Sequence, residues 1–255
     1  MSDTQETSAR KALLAQAEGM VKDHMSNAHC HFLCKTDTIR VMIGIMLARA
    51  LRDDTSSQKQ GFRYPDMLLV ELVALFHDMA DAKYAETSSL EATLAPFLTS
   101  SQATALLSEQ QISLLLTVIP RISWSTEKKL RTAGHWDDLV AQMQKDGGWS
   151  ELAVVQDADR LDAIGAFGVG TGPSYSSATN RPLYFPAQTA NGAALDNGNT
   201  ESLQALVDSS AIQHFHDKLL HIKDRMKTPL GKQEAQRRHE TMLHFLQEIE
   251  HELAS

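Results

Sequence analysis

Ionisable residues end an otherwise apolar run near position 77. The residues 72–76 are all apolar, and His77 and Asp78 follow them directly, with Asp81 and Lys83 shortly beyond. Burying ionisable groups costs free energy unless they are paired or bound to a cation. The run therefore either emerges into solvent at His77 or supplies ligands to a site.

A second acidic cluster lies in the stretch VVQDADRLDAIGA, residues 154–166. Asp157, Asp159 and Asp162 interrupt this apolar helix, and Asp159 and Asp162 occupy neighbouring positions on its surface. Taken alone, each cluster can be explained as charged residues that are exposed to solvent at the end of a helix. Together, a His-Asp pair and an aspartate from a second helix supply nitrogen and oxygen ligands suited to Mn, Fe, Zn or Mg. Such a metal polarises a phosphoryl oxygen and activates water.

Composition and charge limit the classes of partner. The chain has 255 residues, of which 42% are hydrophobic and 22% charged, and its formal net charge is -8. This balance argues against a nucleic-acid polymer as the main partner, because such a partner needs a basic face. It leaves room for a small anionic substrate at a locally positive or metal-containing site.

The cysteines favour a reducing compartment. Only Cys30 and Cys34 are present, so no disulfide framework is indicated. Their spacing, even with His29 and His31 beside them, matches no standard zinc pattern. We find no apolar signal segment and no stretch long enough to span a membrane, so we expect a cytoplasmic protein without a membrane partner.

Helical periodicity dominates and predicts an all-α protein. Asp66, after a proline, is a candidate N-cap for the helix that leads to His77. The other predicted helices are an apolar stripe over 13–21, residues 39–51, shorter helices near 89–97 and 109–119, residues 149–168, and two C-terminal helices within 202–253 that separate near 228–231.

A change of composition predicts a long loop at about 169–200. This segment is rich in Gly, Ser, Asn and Pro. Loops of that length inside a compact domain are uncommon, and are usually either functional or disordered. We see no internal repeat and no alternating strand pattern, and therefore expect one domain over 1–255.

Four motifs resemble one family. VELVALFHDMADAKY, VIPRISWS, DADRLDAIGAFGVG and the C-terminal helices are similar to segments of the HD-domain superfamily of metal-dependent phosphohydrolases. The match is to its small single-domain branch, which includes uncharacterised and nucleotide-hydrolysing bacterial proteins and fungal relatives. The similarity runs from about Lys22 to Leu253. It implies a single all-α HD-domain bundle with the pattern H…HD…D.

The resemblance implies a set of metal ligands. His77 and Asp78 match the HD pair, and Asp159 matches the last metal-binding aspartate, with Asp157 as the alternative. The family normally opens with S-H-D-x-x-H-x-x-R-V, whose second histidine is the first ligand. Here FLCKTDTIRVM, in register at Arg40, places Asp37 at that position.

Three outcomes stay open for this altered position. Asp37 binds a hard cation, which shifts the preference towards Mn or Mg. A shifted loop brings His29 or His31 into the site instead. In the third outcome the metal is weakened or lost and the pocket is repurposed.

The resemblance also implies groups that act on the substrate. Asp81 matches an acid that orients or protonates around the attacked phosphate, and Lys83 a cation that faces the phosphate, although an ion pair between them is an alternative. Arg181 and Tyr184 match an R-P-x-Y element that contacts substrate or packs over the site. Relatives carry an Arg-Thr pair where this chain has TG at 171–172.

The expected function is metal-dependent hydrolysis of a small phosphate ester or nucleotide, with Mn, Mg or Fe as cofactor. Two alternatives are a divergent pocket that binds a small molecule or carries out non-hydrolytic chemistry, and a di-iron oxygenase in which Asp157 and Asp81 support a second ion. The sequence predicts no oligomeric state.

Overall fold

The structure, a computed structural model, describes residues 3–26, 36–58, 60–80, 89–184 and 209–254. These residues form helices and their connections without a strand, so the all-α prediction is confirmed. The α-helices are α1 Asp3–Ser26, α2 Thr36–Asp53, α3 Thr55–Gln58, α4 Met67–Phe76, α5 Leu90–Leu98, α6 Ser101–Leu106, α7 Glu109–Val118, α8 Trp124–Thr132, α9 Trp136–Asp146, α10 Trp149–Asp162, α11 Gly165–Ala178, α12 Ala211–Asp217 and α13 Pro229–Ala254. In the same described ranges, three 3₁₀ segments cover His77–Ala80, Ile119–Arg121 and Leu219–Arg225.

Contacts within the chain define two compact units. The first comprises Met1–Asp159 with Lys227–Leu230, and the second comprises Arg160–Met226 with Gly231–Ser255. The expectation of one domain over 1–255 stays a prediction. Among the described helices, none is long and apolar enough to cross a membrane.

Helix α4 forms the centre of the first unit. Its sequence MLLVELVALF is apolar on nearly every side, which is typical of a helix surrounded by others. It packs against α1, α2 and α7, and its side chains from Leu72 to Phe76 are buried. The N-cap prediction is confirmed, because the Asp66 carboxylate accepts hydrogen bonds from the Leu68 and Leu69 amides at 2.9 and 3.1 Å. This cap fixes where α4 begins.

A buried polar cluster secures the segment that precedes α13. The Asp157 carboxylate on α10 accepts hydrogen bonds from the Lys227 and Thr228 amides and from the Thr228 hydroxyl. The Lys227 Nζ donates to Glu127 on α8 at 2.6 Å, and both carboxylates are fully buried. Proline 229 then occupies the first position of α13, where its missing N–H costs no hydrogen bond.

The second unit departs from the sequence prediction after residue 162. The predicted helix over 149–168 is interrupted, since α10 ends at Asp162 and α11 begins at Gly165. Gly165 has φ +75°, and a Cβ there would lie 2.8 Å from the Arg238 side chain. Both the backbone conformation and the close approach therefore require glycine at this break.

Residues 169–178 are helical, although composition placed them in the long loop. Their glycines and proline have low helix propensity. Packing compensates, because α11 lies against α12 and a Cβ at Gly172 would meet the Phe215 ring at 3.7 Å. The remainder of the predicted loop, from 185, lies outside the described residues. The predicted C-terminal division is confirmed, with α13 beginning at Pro229.

Candidate functional site

Three helices of the first unit bring four ionisable side chains together. His77 and Asp78 begin the 3₁₀ turn that follows α4, Asp159 lies on α10, and Arg40 lies on α2. Arg40 and His77 are 6% and 7% exposed, whereas the side chains of Asp78 and Asp159 are each 27% exposed. The carboxylates thus face the open side of the site, with the imidazole and guanidinium behind them.

The His77 Nε2 atom is the point where these groups converge. It lies 2.9 Å from Asp78 Oδ2 and 3.7 Å from Asp159 Oδ1. Arg40 Nη1 lies 2.7 Å from the same nitrogen and 3.6 Å from Asp78 Oδ2, and Arg40 Nε lies 3.4 Å from Asp159 Oδ1. Two carboxylates from different helices therefore share one imidazole and one guanidinium.

A backbone contact orients the imidazole. His77 Nδ1 lies 2.9 Å from the Ala74 carbonyl oxygen, which can only accept a hydrogen bond, so we assign the Nδ1 proton to this contact. In the neutral ring Nε2 then carries the lone pair and faces the carboxylates. Histidines that bind metals commonly hold their second nitrogen in this way.

The carboxylates also set the charge of His77. Burial and the Arg40 cation lower the pKa of His77, but Asp78 and Asp159 outweigh them and raise it above its ordinary value of 6.5. The surroundings of Nε2 therefore favour a positive charge at this point, whether a proton or another cation supplies it.

The chemistry of these donors fits a divalent cation. Ligand atoms about 2.1 Å from an octahedral metal lie roughly 3 Å from one another, and Nε2 and Asp78 Oδ2 are 2.9 Å apart. As the side chains stand, no three histidine, cysteine or acidic residues in the described parts of the chain enclose one metal position. The Arg40 guanidinium contacts all three donor atoms. The three donors can therefore surround a metal ion only if the guanidinium moves away.

Asp157 has different surroundings from Asp159. Its oxygens accept the hydrogen bonds from Lys227 and Thr228 described above, at 2.7–3.1 Å. Burial raises the pKa of Asp157 despite these bonds and the Lys227 charge. Both oxygens are thus engaged in anchoring the residues before α13, whereas an Asp159 oxygen faces His77.

Several predicted site residues lie outside the description. Asp81 and Lys83 fall in the undescribed segment 81–88, and His29 and His31 fall in 27–35. Asp37 lies within α2, but its side chain is not described. Their roles stay predictions.

Arg181 and Tyr184 belong to the second unit, and both are exposed. The Arg181 amide donates to the Ser176 carbonyl at 2.8 Å, which fixes the backbone after α11. Burial, followed by the Lys218 and Arg181 charges, lowers the pKa of His214. Arg181 thus contributes positive potential around His214, and its predicted contact with substrate stays a prediction.

Arg40 is the site residue that sequence reasoning missed. We used it only to set the register of the altered first motif. One signal was available, because Arg40 lies within the strongly apolar helix predicted over 39–51, where a buried charge needs a partner. The identity of that partner depends on how α2 and α4 pack, and the sequence does not show it.

Comparisons with known proteins agree with the motifs. No protein-family model matches the chain. It is 28% identical over 188 residues to the uncharacterized protein YpgQ of Bacillus subtilis, a match that covers 74% of each protein. The structure also matches that of YpgQ in complex with ADP, with a TM-score of 0.62 and 22% identity. This match covers 96% of each chain.

A solved HD-superfamily hydrolase of Bacillus thuringiensis is similarly close in structure. It is 22% identical, has a TM-score of 0.61, and the match covers 96% of this chain and 99% of that one. The chain therefore shares its fold with these two proteins.

Proposed function

We propose that this protein, which shares the fold of the HD superfamily, is a divalent-metal-dependent phosphohydrolase that acts on a small phosphate ester or nucleotide. The observation that carries the proposal is the convergence of His77 Nε2, Asp78 Oδ2 and Asp159 Oδ1 from two helices. These are the residues that the H…HD…D motif selects. ADP in the related YpgQ structure favours a nucleotide as the substrate class.

His77, Asp78 and Asp159 are the proposed ligands, with Mn, Mg or Fe as the candidate metals. Asp37 completes the set in this proposal, and His29 or His31 is its alternative. Asp157 is excluded from our proposed set because its oxygens accept the Lys227 and Thr228 hydrogen bonds. When bound, a divalent cation supplies Lewis-acid activation of the phosphoryl group and of the attacking water.

The chain's own groups perform the remaining tasks in this proposal. The Ala74 carbonyl fixes the ring of His77, so that its Nε2 lone pair faces the site. Asp81 carries a proton at the attacked phosphate and Lys83 steadies the phosphate charge. Arg181 and Tyr184 contribute to substrate binding.

A second candidate function is favoured by Arg40. Its guanidinium supplies positive charge to Asp78 and Asp159 at 3.6 and 3.4 Å without any metal. A divergent pocket that binds a small molecule or carries out non-hydrolytic chemistry is compatible with this arrangement. It predicts a function that survives in a His77→Ala variant.

Turnover distinguishes the two functions. Purified wild-type protein is assayed with Mn or Mg against a panel of phosphate esters and nucleotides, and His77→Ala is assayed in the same way. The control is Arg10→Gln, which removes an ion pair to Glu71 on α4, the helix that precedes His77. We expect metal-dependent phosphate release in wild type and Arg10→Gln, and a loss of at least about 100-fold in His77→Ala. No turnover on any compound with either metal would contradict the hydrolase.

A further inference from the structure

The contact between Arg40 and His77 bears on how the site takes up a metal. Arg40 Nη1 lies 2.7 Å from His77 Nε2, within hydrogen-bond distance. The Ala74 carbonyl engages Nδ1, so Nε2 is the ring nitrogen that is left for a proton, for an Arg40 N–H or for a metal. One lone pair accepts an N–H or coordinates a metal, but not both.

The same guanidinium also contacts the other two donors. Its Nη1 and Nε atoms lie 3.6 Å from Asp78 Oδ2 and 3.4 Å from Asp159 Oδ1. The planar guanidinium of Arg40 thus contacts all three of the proposed ligands. A divalent ion at those ligands would lie close to this positive charge, and because the guanidinium itself is buried, solvent screens the repulsion only weakly.

We propose that Arg40 is an internal cation that competes with the divalent metal for His77, Asp78 and Asp159. Metal uptake then requires the guanidinium to withdraw from Nε2, and its return accompanies metal loss. This inference rests on the proposed function, because it concerns the same three ligands. Arg40 is a positioning residue in this account, since it acts on the occupancy of the site.

The competition predicts an unusual sign for a substitution inside a metal site. Removing Arg40 frees Nε2 and removes a repulsive charge, so manganese should bind more tightly. A merely structural Arg40 predicts the reverse, because loss of a buried side chain would loosen the site and weaken binding. The direction of the change in affinity therefore separates the two roles.

The experiment is a calorimetric titration of metal-stripped protein with manganese chloride. It compares wild type with Arg40→Gln, and with Arg40→Met in case the first variant folds poorly; methionine keeps much of the side-chain volume without charge. Arg10→Gln is the matched control, since Arg10 also pairs with an acid of the first unit, Glu71, at 2.7 Å. Thermal unfolding without metal is recorded for each protein.

We expect either Arg40 variant to bind manganese at least about fivefold more tightly than wild type, the lower end of typical coupling between two ligands. Arg10→Gln should bind as wild type does. Without metal, the Arg40 variants should also unfold at a lower temperature than wild type. Added manganese should reduce this difference in unfolding temperature between the variants and wild type. Binding by the variants alone, with none by wild type, would support the inference equally.

Equal or weaker manganese binding by folded Arg40 variants, with clear binding by wild type, would overturn the inference and leave the proposed metal site intact. Absence of binding in wild type and all variants would overturn the proposed function, and the inference with it. The two failures are thus distinguishable in one titration series.

Discussion

At the scale of single residues, two aspartates two positions apart have opposite surroundings. Asp157 is fully buried and accepts hydrogen bonds from two amides and a hydroxyl. The Asp159 side chain is 27% exposed and lies beside His77 and Arg40. We therefore infer that the first stabilises the fold, and we propose the second as a ligand residue.

Alanine at each position should separate these roles. Asp157→Ala leaves buried donors without an acceptor, and we expect it to lower the free energy of unfolding by about 3 kcal/mol. Asp159→Ala removes a partly exposed carboxylate and leaves the buried Arg40 beside Asp78, so it should cost only about 1 kcal/mol. Urea denaturation without metal measures both. An equal loss at the two positions would refute the assignment.

The pH dependence of stability should reveal Glu151. Burial raises the pKa of Glu151 above 4.5, although the Asp66 amide donates to its Oε1 atom at 2.8 Å. An acid whose pKa is raised by folding ionises first in the unfolded chain. Stability is therefore lost as pH rises from the unfolded pKa to the folded one.

Glu151→Gln keeps an acceptor for the Asp66 amide but cannot ionise. Its free energy of unfolding relative to wild type should therefore be higher at about pH 7 than at about pH 4, because only the wild-type side chain ionises more readily in the unfolded chain. Chemical denaturation at the two pH values gives this difference. A relative stability that falls as pH rises would mean that the ionised carboxylate stabilises the fold.

At the scale of elements, the cap of α4 contributes to the placement of His77. Asp66 accepts from two amides of the first turn and from Gln111 Nε2 at 2.7 Å. We expect Asp66→Ala to cost about 1–2 kcal/mol and to weaken manganese binding, because two proposed ligands, His77 and Asp78, directly follow α4.

The control for this cap is Ser89→Ala at the start of α5, where the serine hydroxyl accepts from the Ala92 amide at 3.2 Å. It should destabilise the protein without changing manganese affinity. Thermal unfolding and calorimetry give the two quantities. The same loss of affinity in both variants would point to general destabilisation instead of the placement of α4.

The break between α10 and α11 provides a second element-scale prediction. Gly165 and Gly134 both have φ +75°, but only Gly165 has a neighbour that a Cβ would strike, the Arg238 side chain at 2.8 Å. Gly165→Ala should therefore cost at least about 1 kcal/mol more than Gly134→Ala. Equal losses in the free energy of unfolding for the two variants would show that the Arg238 side chain moves aside without an energetic cost.

At the scale of the whole molecule, periodicity and motifs predicted the helical class and most described helix positions. Apolar runs such as 72–76 determine which residues are buried. Asp66 indicated the start of a helix because its carboxylate accepts a hydrogen bond from an amide of the first turn. The error at 169–178 arose because the packing of Gly172 against Phe215 depends on residues distant in sequence.

The candidate site was predictable only in part. Local motifs selected His77, Asp78 and Asp159, which the structure brings together. They could not separate Asp157 from Asp159, because the difference depends on Lys227 and Thr228, some 70 residues further along the chain. The role of Arg40 likewise depends on the packing of α2 against α4.

The most direct measurement is the metal content of the protein at equilibrium with excess manganese, compared among wild type, Asp157→Asn and Asp159→Asn. The account predicts about one manganese per chain in wild type and Asp157→Asn, and almost none in Asp159→Asn. Manganese retained in full by Asp159→Asn, or absent from wild type, would contradict a metal centre built on His77, Asp78 and Asp159.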